Sequence, residues 1–211
     1  VADGMGGHKA GDYASRYTVE TLEKLIREST LSEPAAIIES AVKQANTMLL
    51  EEANNHEEMK GMGTTLVICT IHDNVLTVAN VGDSRLYVVN QEIRQITKDH
   101  SLVEEMVRMG EMDKETARNH RDKNIITRAI GAVPEVDVDF FEINLDPEDE
   151  ILMCTDGLTN MVPDAELALL LQESAFFDAP GVLVDRALKG GGQDNITVLL
   201  LGVETTEETN G

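Results

Sequence analysis

An α+β layered sandwich is the fold class this chain predicts, on three observations. Two amphipathic helical stretches stand together near the front, short β-branched runs parted by tight turns follow them, and further helical stretches flank the later runs. Helices in pairs around antiparallel runs do not make the alternating βαβ pattern of an open parallel sheet. The glycine clusters agree: they match neither the dinucleotide fingerprint nor the phosphate loop ending in Gly-Lys-Ser/Thr, so nucleotide binding has no motif here.

The first helix is expected from Ala10 to about Glu28, because Ala14, Tyr17, Leu22, Leu25 and Ile26 recur at helical spacing with Glu20, Glu23, Lys24 and Arg27 opposite them. Ser32 and Pro34 signal the entry of a second, whose stripe of Ile38, Ala41, Val42, Ala45, Met48 and Leu49 runs to about Glu52. Strands are expected at Thr65 to Ile71, Val75 to Val81 and Arg85 to Val89, parted by His72-Asp73-Asn74 and Gly82-Asp83-Ser84. Two more, Val136 to Leu145 and Ile151 to Thr155, flank Asp146-Pro147-Glu148-Asp149, and Ile196 to Val203 closes the sheet region. The unbroken apolar runs Leu66-Val67-Ile68-Cys69 and Val198-Leu199-Leu200-Leu201 predict strands buried on both faces. Between the strand groups, Ser101 to about Ile130 is polar and methionine-rich, with short helical patterns at Val103 to Met109 and Lys114 to Asn119, and reads as an insertion over the sheet edge. Asp164 is expected to cap a helix carrying Leu167, Leu170 and Leu171, and Val182 to Leu188 is the last short one. Residues 1–203 thus read as one domain and 204–211 as a polar, frayed tail.

Composition narrows the function. The 211 residues, 42% of them hydrophobic, can bury one sizeable core. With 17 basic against 39 acidic residues the net charge is −22, which repels nucleic acid and anionic membranes and favours cations. No apolar run approaches the ~18 residues of a spanning helix, so a soluble protein is expected, with the cytoplasm as the default place and a monomer as the expected state. Cys69 and Cys154 lie in strand-like runs outside any metal-ligand spacing and read as buried reduced thiols.

The chemistry lies in aspartates. Asp3 runs into Gly4-Met5-Gly6-Gly7, Asp156 precedes Gly157, and Gly190-Gly191-Gly192 stands just before Asp194; Asp99 sits in Lys98-Asp99-His100. Oxygen ligands at strand ends suit Mg²⁺ or Mn²⁺ and disfavour Zn²⁺. Two such ions about 3.5 to 4 Å apart would share a water, lower its pKa and aim it at phosphorus. Asp83 reads as a turn residue, since Gly-Asp-Ser is a good turn by itself. His100 is open between steadying Asp99 or the following segment and plain surface placement. His8 is the nearest candidate for a general acid beside Asp3, or is satisfied at the helix start.

Taken in order, Asp3-Gly4-Met5-Gly6-Gly7, Gly63-Thr64-Thr65, Val81-Gly82-Asp83-Ser84-Arg85, Asp99-His100-Ser101, Thr155-Asp156-Gly157 and Gly192-Gln193-Asp194-Asn195 resemble the metal-dependent type 2C serine/threonine protein phosphatases over nearly the whole chain. Asn119-His120 and Lys123-Asn124-Ile125-Ile126-Thr127-Arg128-Ala129-Ile130-Gly131 are similar to the bacterial branch. The resemblance implies a four-layer α-β-β-α sandwich with two central antiparallel sheets. It also implies a centre of two Mn²⁺ or Mg²⁺ ions, with Asp3 bridging, the Gly4 carbonyl on one ion, and Asp156 and Asp194 on the other. Asp99, with Asp156, would hold a weaker third ion, and Ser101 to Asn124 would be a mobile flap. The implied activity is hydrolysis of phosphoserine and phosphothreonine on proteins by a metal-activated water, opposing a bacterial serine/threonine kinase. A metal-binding pseudophosphatase or docking module is the alternative. The family's phosphate-gripping arginine and water-ordering acidic pair precede the position of Val1, where a strand is expected to be already under way. Met5 stands where animal members carry a histidine, which leaves leaving-group protonation unassigned.

Overall fold

The computed structural model describes residues 1–203; the polar tail expected from Glu204 lies outside the described residues. In chain order, β1 (Gly4–Met5), helix α1 (His8–Arg27) and helix α2 (Pro34–Asn55) are followed by β2 (Gly63–Thr64), β3 (Leu66–His72), β4 (Val75–Val81), β5 (Arg85–Val89) and β6 (Ile93–Gln95). Two short helices come next, α3 (Leu102–Arg108) and α4 (Lys114–Arg118), then β7 (Asp139–Asn144) and β8 (Glu150–Cys154). The chain closes with α5 (Asp156–Thr159), α6 (Asp164–Glu173), α7 (Ala179–Lys189) and β9 (Val198–Gly202).

Two antiparallel sheets form the centre, one ordered β3-β4-β7 and the other β6-β5-β8-β9, while β1 and β2 make a small separate pair. The β3–β4 hairpin runs from Leu66 opposite Val81 to His72 opposite Val75. Its two turn residues, Asp73 and Asn74, both adopt positive φ, 49° and 62°, as the strand twist demands of a two-residue connection. Alternation along each strand then divides the apolar residues into layers. Val67, Leu76 and Val78 meet Leu86, Val88, Ile151 and Met153 between the sheets. On the outer side of the first sheet, Leu66, Ala79 and Val81 pack under Val42, Ala45 and Leu49 of α2 and Ala14 and Leu22 of α1. Tyr87, Leu152 and Cys154, the outward residues of the second sheet, pack under Leu158, Leu167 and Leu183. The result is the α-β-β-α order of layers, with each helix burying the stripe its three- and four-residue spacing provides.

Two expectations are corrected, and one strand was not expected. The run at Val198 to Leu201 is not buried on both faces: β9 is the last strand of its sheet, and Leu199 is 43% exposed. Asp164 does not cap α6, because Pro163 occupies the cap position and no side chain caps it; the Asp164 carboxylate instead accepts the Tyr87 hydroxyl at 3.1 Å. The short, polar β6 is a strand that periodicity did not announce. Cys69 and Cys154 are free thiols, and burial pushes Cys154 up to about 12. Among the described residues no helix is long and apolar enough to cross a membrane.

Candidate metal centre

Asp3 is held through its backbone by the Gly63-Thr64-Thr65 segment. Its N–H donates to Thr65 Oγ1 at 3.0 Å, and its carbonyl accepts from the Thr65 N–H at 2.8 Å and from Thr64 Oγ1 at 2.9 Å. Thr65 Oγ1 also lies 2.8 Å from Ser84 Oγ, which ties the Asp3 segment to the turn carrying Asp83. Gly4 touches the start of α1 through backbone alone: a Cβ on Gly4 would sit on the Gly11 carbonyl, so only glycine lets the helix approach this closely.

Asp156 opens α5 directly after β8, and Asn160 Nδ2 donates to its Oδ2 at 2.8 Å. Asp194 belongs to the loop before β9. Gly157 packs so tightly on the Asn195 carbonyl that a Cβ would overlap it, while Thr155 Oγ1 donates to the same carbonyl at 3.1 Å. Those contacts bring residues 156 and 194 side by side.

The electrostatics register this gathering. Burial, then the charges of Asp156 and Asp194, push Asp3 up to about 7. Burial and then Asp194 raise Asp156, opposed by the Asn160 amide and the Gly157 N–H. Each shift expresses the cost of keeping negative charges close in a partly desolvated place. Convergence is nonetheless looser than the sequence reading expects: no three His, Cys, Asp or Glu side chains among the described residues close on a single point. The side chains gathered here, Asp3, Asp156 and Asp194, offer oxygen alone. That donor set fits hydrated hard cations that keep several waters and take one or two carboxylates each, and does not fit a closed cage.

Two further aspartates stand near the cluster in different surroundings. Asp99 is clamped by Arg85, whose Nε reaches both carboxylate oxygens at 2.9 and 3.0 Å and whose NH2 reaches Oδ2 at 2.7 Å; Gln95 Nε2 adds a bond to Oδ1 at 3.0 Å. A carboxylate so engaged on both oxygens is a partner for the guanidinium, and it lines the same cleft as Asp83 and Asp156. Asp83, expected only to shape a turn, faces the cluster. Burial first, then Asp156, Asp99 and Asp3, push it up to about 7.

Of the two histidine candidates one is built into the fold, and the other stands at the helix start. His100 is buried: its Nδ1 accepts the Gly82 N–H at 3.1 Å and its Nε2 lies 3.2 Å from Asp139 Oδ2, so it braces the Asp83 turn from behind. His8 is exposed at the first position of α1 and makes no side-chain bond among the described residues.

A cleft of about 610 Å³ opens beside the cluster. Asp83, Asp99 and Asp156 line it, as do Lys114 and Arg118 of α4. A second recess of about 130 Å³ holds Asp194 and Gly157. Asp3 lines neither.

Comparison with known proteins supplies the last observations. A family model described as Protein phosphatase 2C matches residues 1–183. The serine/threonine phosphatase stp of Listeria monocytogenes serovar 1/2a is 42% identical over 214 residues, covering 99% of this chain and 85% of the relative. The crystal structure of serine/threonine phosphatase Stp1 from Staphylococcus aureus is similar at a TM-score of 0.91 and 38% identity, over 97% of this chain and 82% of that one. The catalytic domain of serine threonine protein phosphatase PstP, in complex with 2 manganese ions, is similar at 0.86 and 33% identity, over 97% and 86%.

Proposed function

This chain belongs to the protein phosphatase 2C family and is a metal-dependent serine/threonine protein phosphatase, and from that premise we propose that Asp3, Asp156 and Asp194 hold its Mn²⁺ or Mg²⁺ ions, with the Gly4 carbonyl as a further ligand. Its substrates are phosphoproteins. The observation that carries the assignment is Asp3, raised to about 7 by burial and by the two other carboxylates from distant parts of the chain. Divalent cations neutralise such a cluster where the protein itself does not. Bound there, they supply charge neutralisation at phosphorus and a water of lowered pKa.

What the chain's own residues contribute is position. Thr64 and Thr65 fix the Asp3 backbone, Asn160 turns the Asp156 carboxylate, and the Gly157 contact sets Asp194 beside it. Asp99 and Asp156 line the cleft together with Asp83, and to this group we assign a weaker outer ion. No covalent phosphoenzyme enters this reading, in which a metal-activated water would be the nucleophile. The wider setting rests on the family resemblance: one catalytic domain over residues 1–203, acting in the cytoplasm as a monomer and opposing a serine/threonine kinase.

The test is phosphate release from a phosphothreonine peptide with Mn²⁺, with Mg²⁺ and with a chelator. Release that depends on the metal and is lost in Asp3→Asn is expected. Equal release in chelator would refute the assignment.

A further inference from the structure

The large cleft and the Asp194 recess meet at two residues, Asn160 and Lys123, which line both. Asn160 is accounted for by its bond to Asp156. Lys123 is not. It is half-buried and makes no ion pair or side-chain hydrogen bond among the described residues, although this chain carries 39 acidic side chains against 17 basic ones.

The other cations of the cleft are committed or lie farther out. Arg85 is clamped to Asp99, and Arg118 NH2 donates to the Thr159 carbonyl at 3.0 Å, tying α4 to α5. Lys98 and Lys114 are exposed and line only the larger cleft.

Nor is Lys123 on a free loop. Its N–H donates to the His120 carbonyl at 3.3 Å, the Ile125 N–H to Asp122 at 3.1 Å, and the Leu102 N–H to the Ile125 carbonyl at 2.9 Å, with Ser101 bridging Ile126 just beyond. The backbone is therefore fixed where Lys123 lines both the cleft that holds Asp156 and the recess that holds Asp194. A half-buried ammonium has shed part of its hydration and gains most from an anion that arrives with the substrate.

We propose that Lys123 grips the phosphoryl group of the substrate, a phosphomonoester dianion, from the flap side of the cleft. This rests on the phosphatase reading above and adds to it a phosphate-binding residue carried by the segment over the sheet edge. As a compact point charge, an ammonium holds phosphate oxygens without demanding the fixed fork of a guanidinium, which suits a group that turns over.

The experiment compares the unaltered chain with Lys123→Ala and Lys123→Arg, each loaded with Mn²⁺. KM for a small aryl phosphate is measured together with the affinity for inorganic phosphate by calorimetric titration. In Lys123→Ala both should weaken by about tenfold or more, the usual worth of a charge-assisted bond, and Lys123→Arg should recover most of the loss. Unchanged phosphate affinity in Lys123→Ala would overturn the proposal, as would equal losses in Ala and Arg. Failure of the unaltered chain to release phosphate with Mn²⁺ would count against the phosphatase reading instead, while the phosphate titration still reads Lys123 by itself.

Discussion

Replacing Asp83 by Asn should stabilise the metal-free protein at alkaline pH and leave it nearly unchanged in acid. Burial and three neighbouring carboxylates push Asp83 from 3.8 up to about 7. A folded-state value above the unfolded one means that the native protein holds a proton the unfolded chain has already lost. Stability is thus highest below the unfolded value and falls as pH rises through the folded one. Roughly three pKa units at ~1.4 kcal/mol each set a ceiling of about 4 kcal/mol, and relaxation of the partners brings the expected cost to about 2 to 3 kcal/mol. Asn keeps the shape and loses the charge, so the variant should gain that amount above about pH 7.5 and almost nothing near pH 4. Urea denaturation in chelator across this range reads the difference directly. A difference that does not change with pH, or a variant less stable than the parent at pH 8, would refute the electrostatic account. Millimolar Mn²⁺ should shrink or reverse the gain, because a cation that binds the native parent stabilises it by mass action and the Asn variant offers it one ligand fewer.

Arg85→Ala should destabilise by about 3 to 5 kcal/mol, read as a shifted urea midpoint, because it strands the Asp99 carboxylate, only 12% exposed, without its partner. Asp3→Asn should lower Mn²⁺-dependent phosphate release by about two orders of magnitude or more while the urea midpoint in chelator rises or holds, since the charge removed is one the fold resists. Backbone amides of α3 and α4 should exchange faster than those of β4, because the short flap helices each bury one apolar residue, Val103 and Ala117, whereas β4 is buried along nearly its whole length.

Strands were legible where two signals coincided. Val75 to Val81 and Arg85 to Val89 have the bounds their β-branched runs predict, because Asp73-Asn74 and Gly82-Asp83-Ser84 mark where the chain must reverse. Where one signal stood alone it misled. The apolar run at Val198 records that β9 packs on something, but apolarity does not distinguish an edge strand from a central one, and only the order β6-β5-β8-β9 puts it outside. The three-residue β6 carries Arg94 and Gln95, too polar and too short for a period to show. Asp164 illustrates how cap assignments slip by one position: the helix start was found, yet Pro163 holds the cap geometry, and the carboxylate was free to meet Tyr87 and stand 3.7 Å from Arg85.

The different surroundings of Asp83 and Asp99 have a physical cause that residue patterns contain only in part. Asp3, Asp156 and Asp194 were singled out because each stands at a strand end beside glycine, where the backbone can crowd a ligand. Asp83 meets that criterion as fully as they do, at the end of β4 after Gly82, while Asp99 touches no glycine at all. A good turn explains why the chain reverses at Gly82, but not where the aspartate's carboxylate points once it has reversed. Two restraints decide that here, Ser84 Oγ against Thr65 Oγ1 on the Asp3 side and His100 Nδ1 on the Gly82 N–H behind. Asp99, in turn, sits opposite Arg85 across the β5 end, and in a chain of net charge −22 a buried guanidinium needs its own carboxylate. The turn at Gly82 and the acidic cluster are therefore one structure: the residue that reverses the chain also aims a charge at Asp156, and the fold accepts the repulsion that Asp83, at about 7, records.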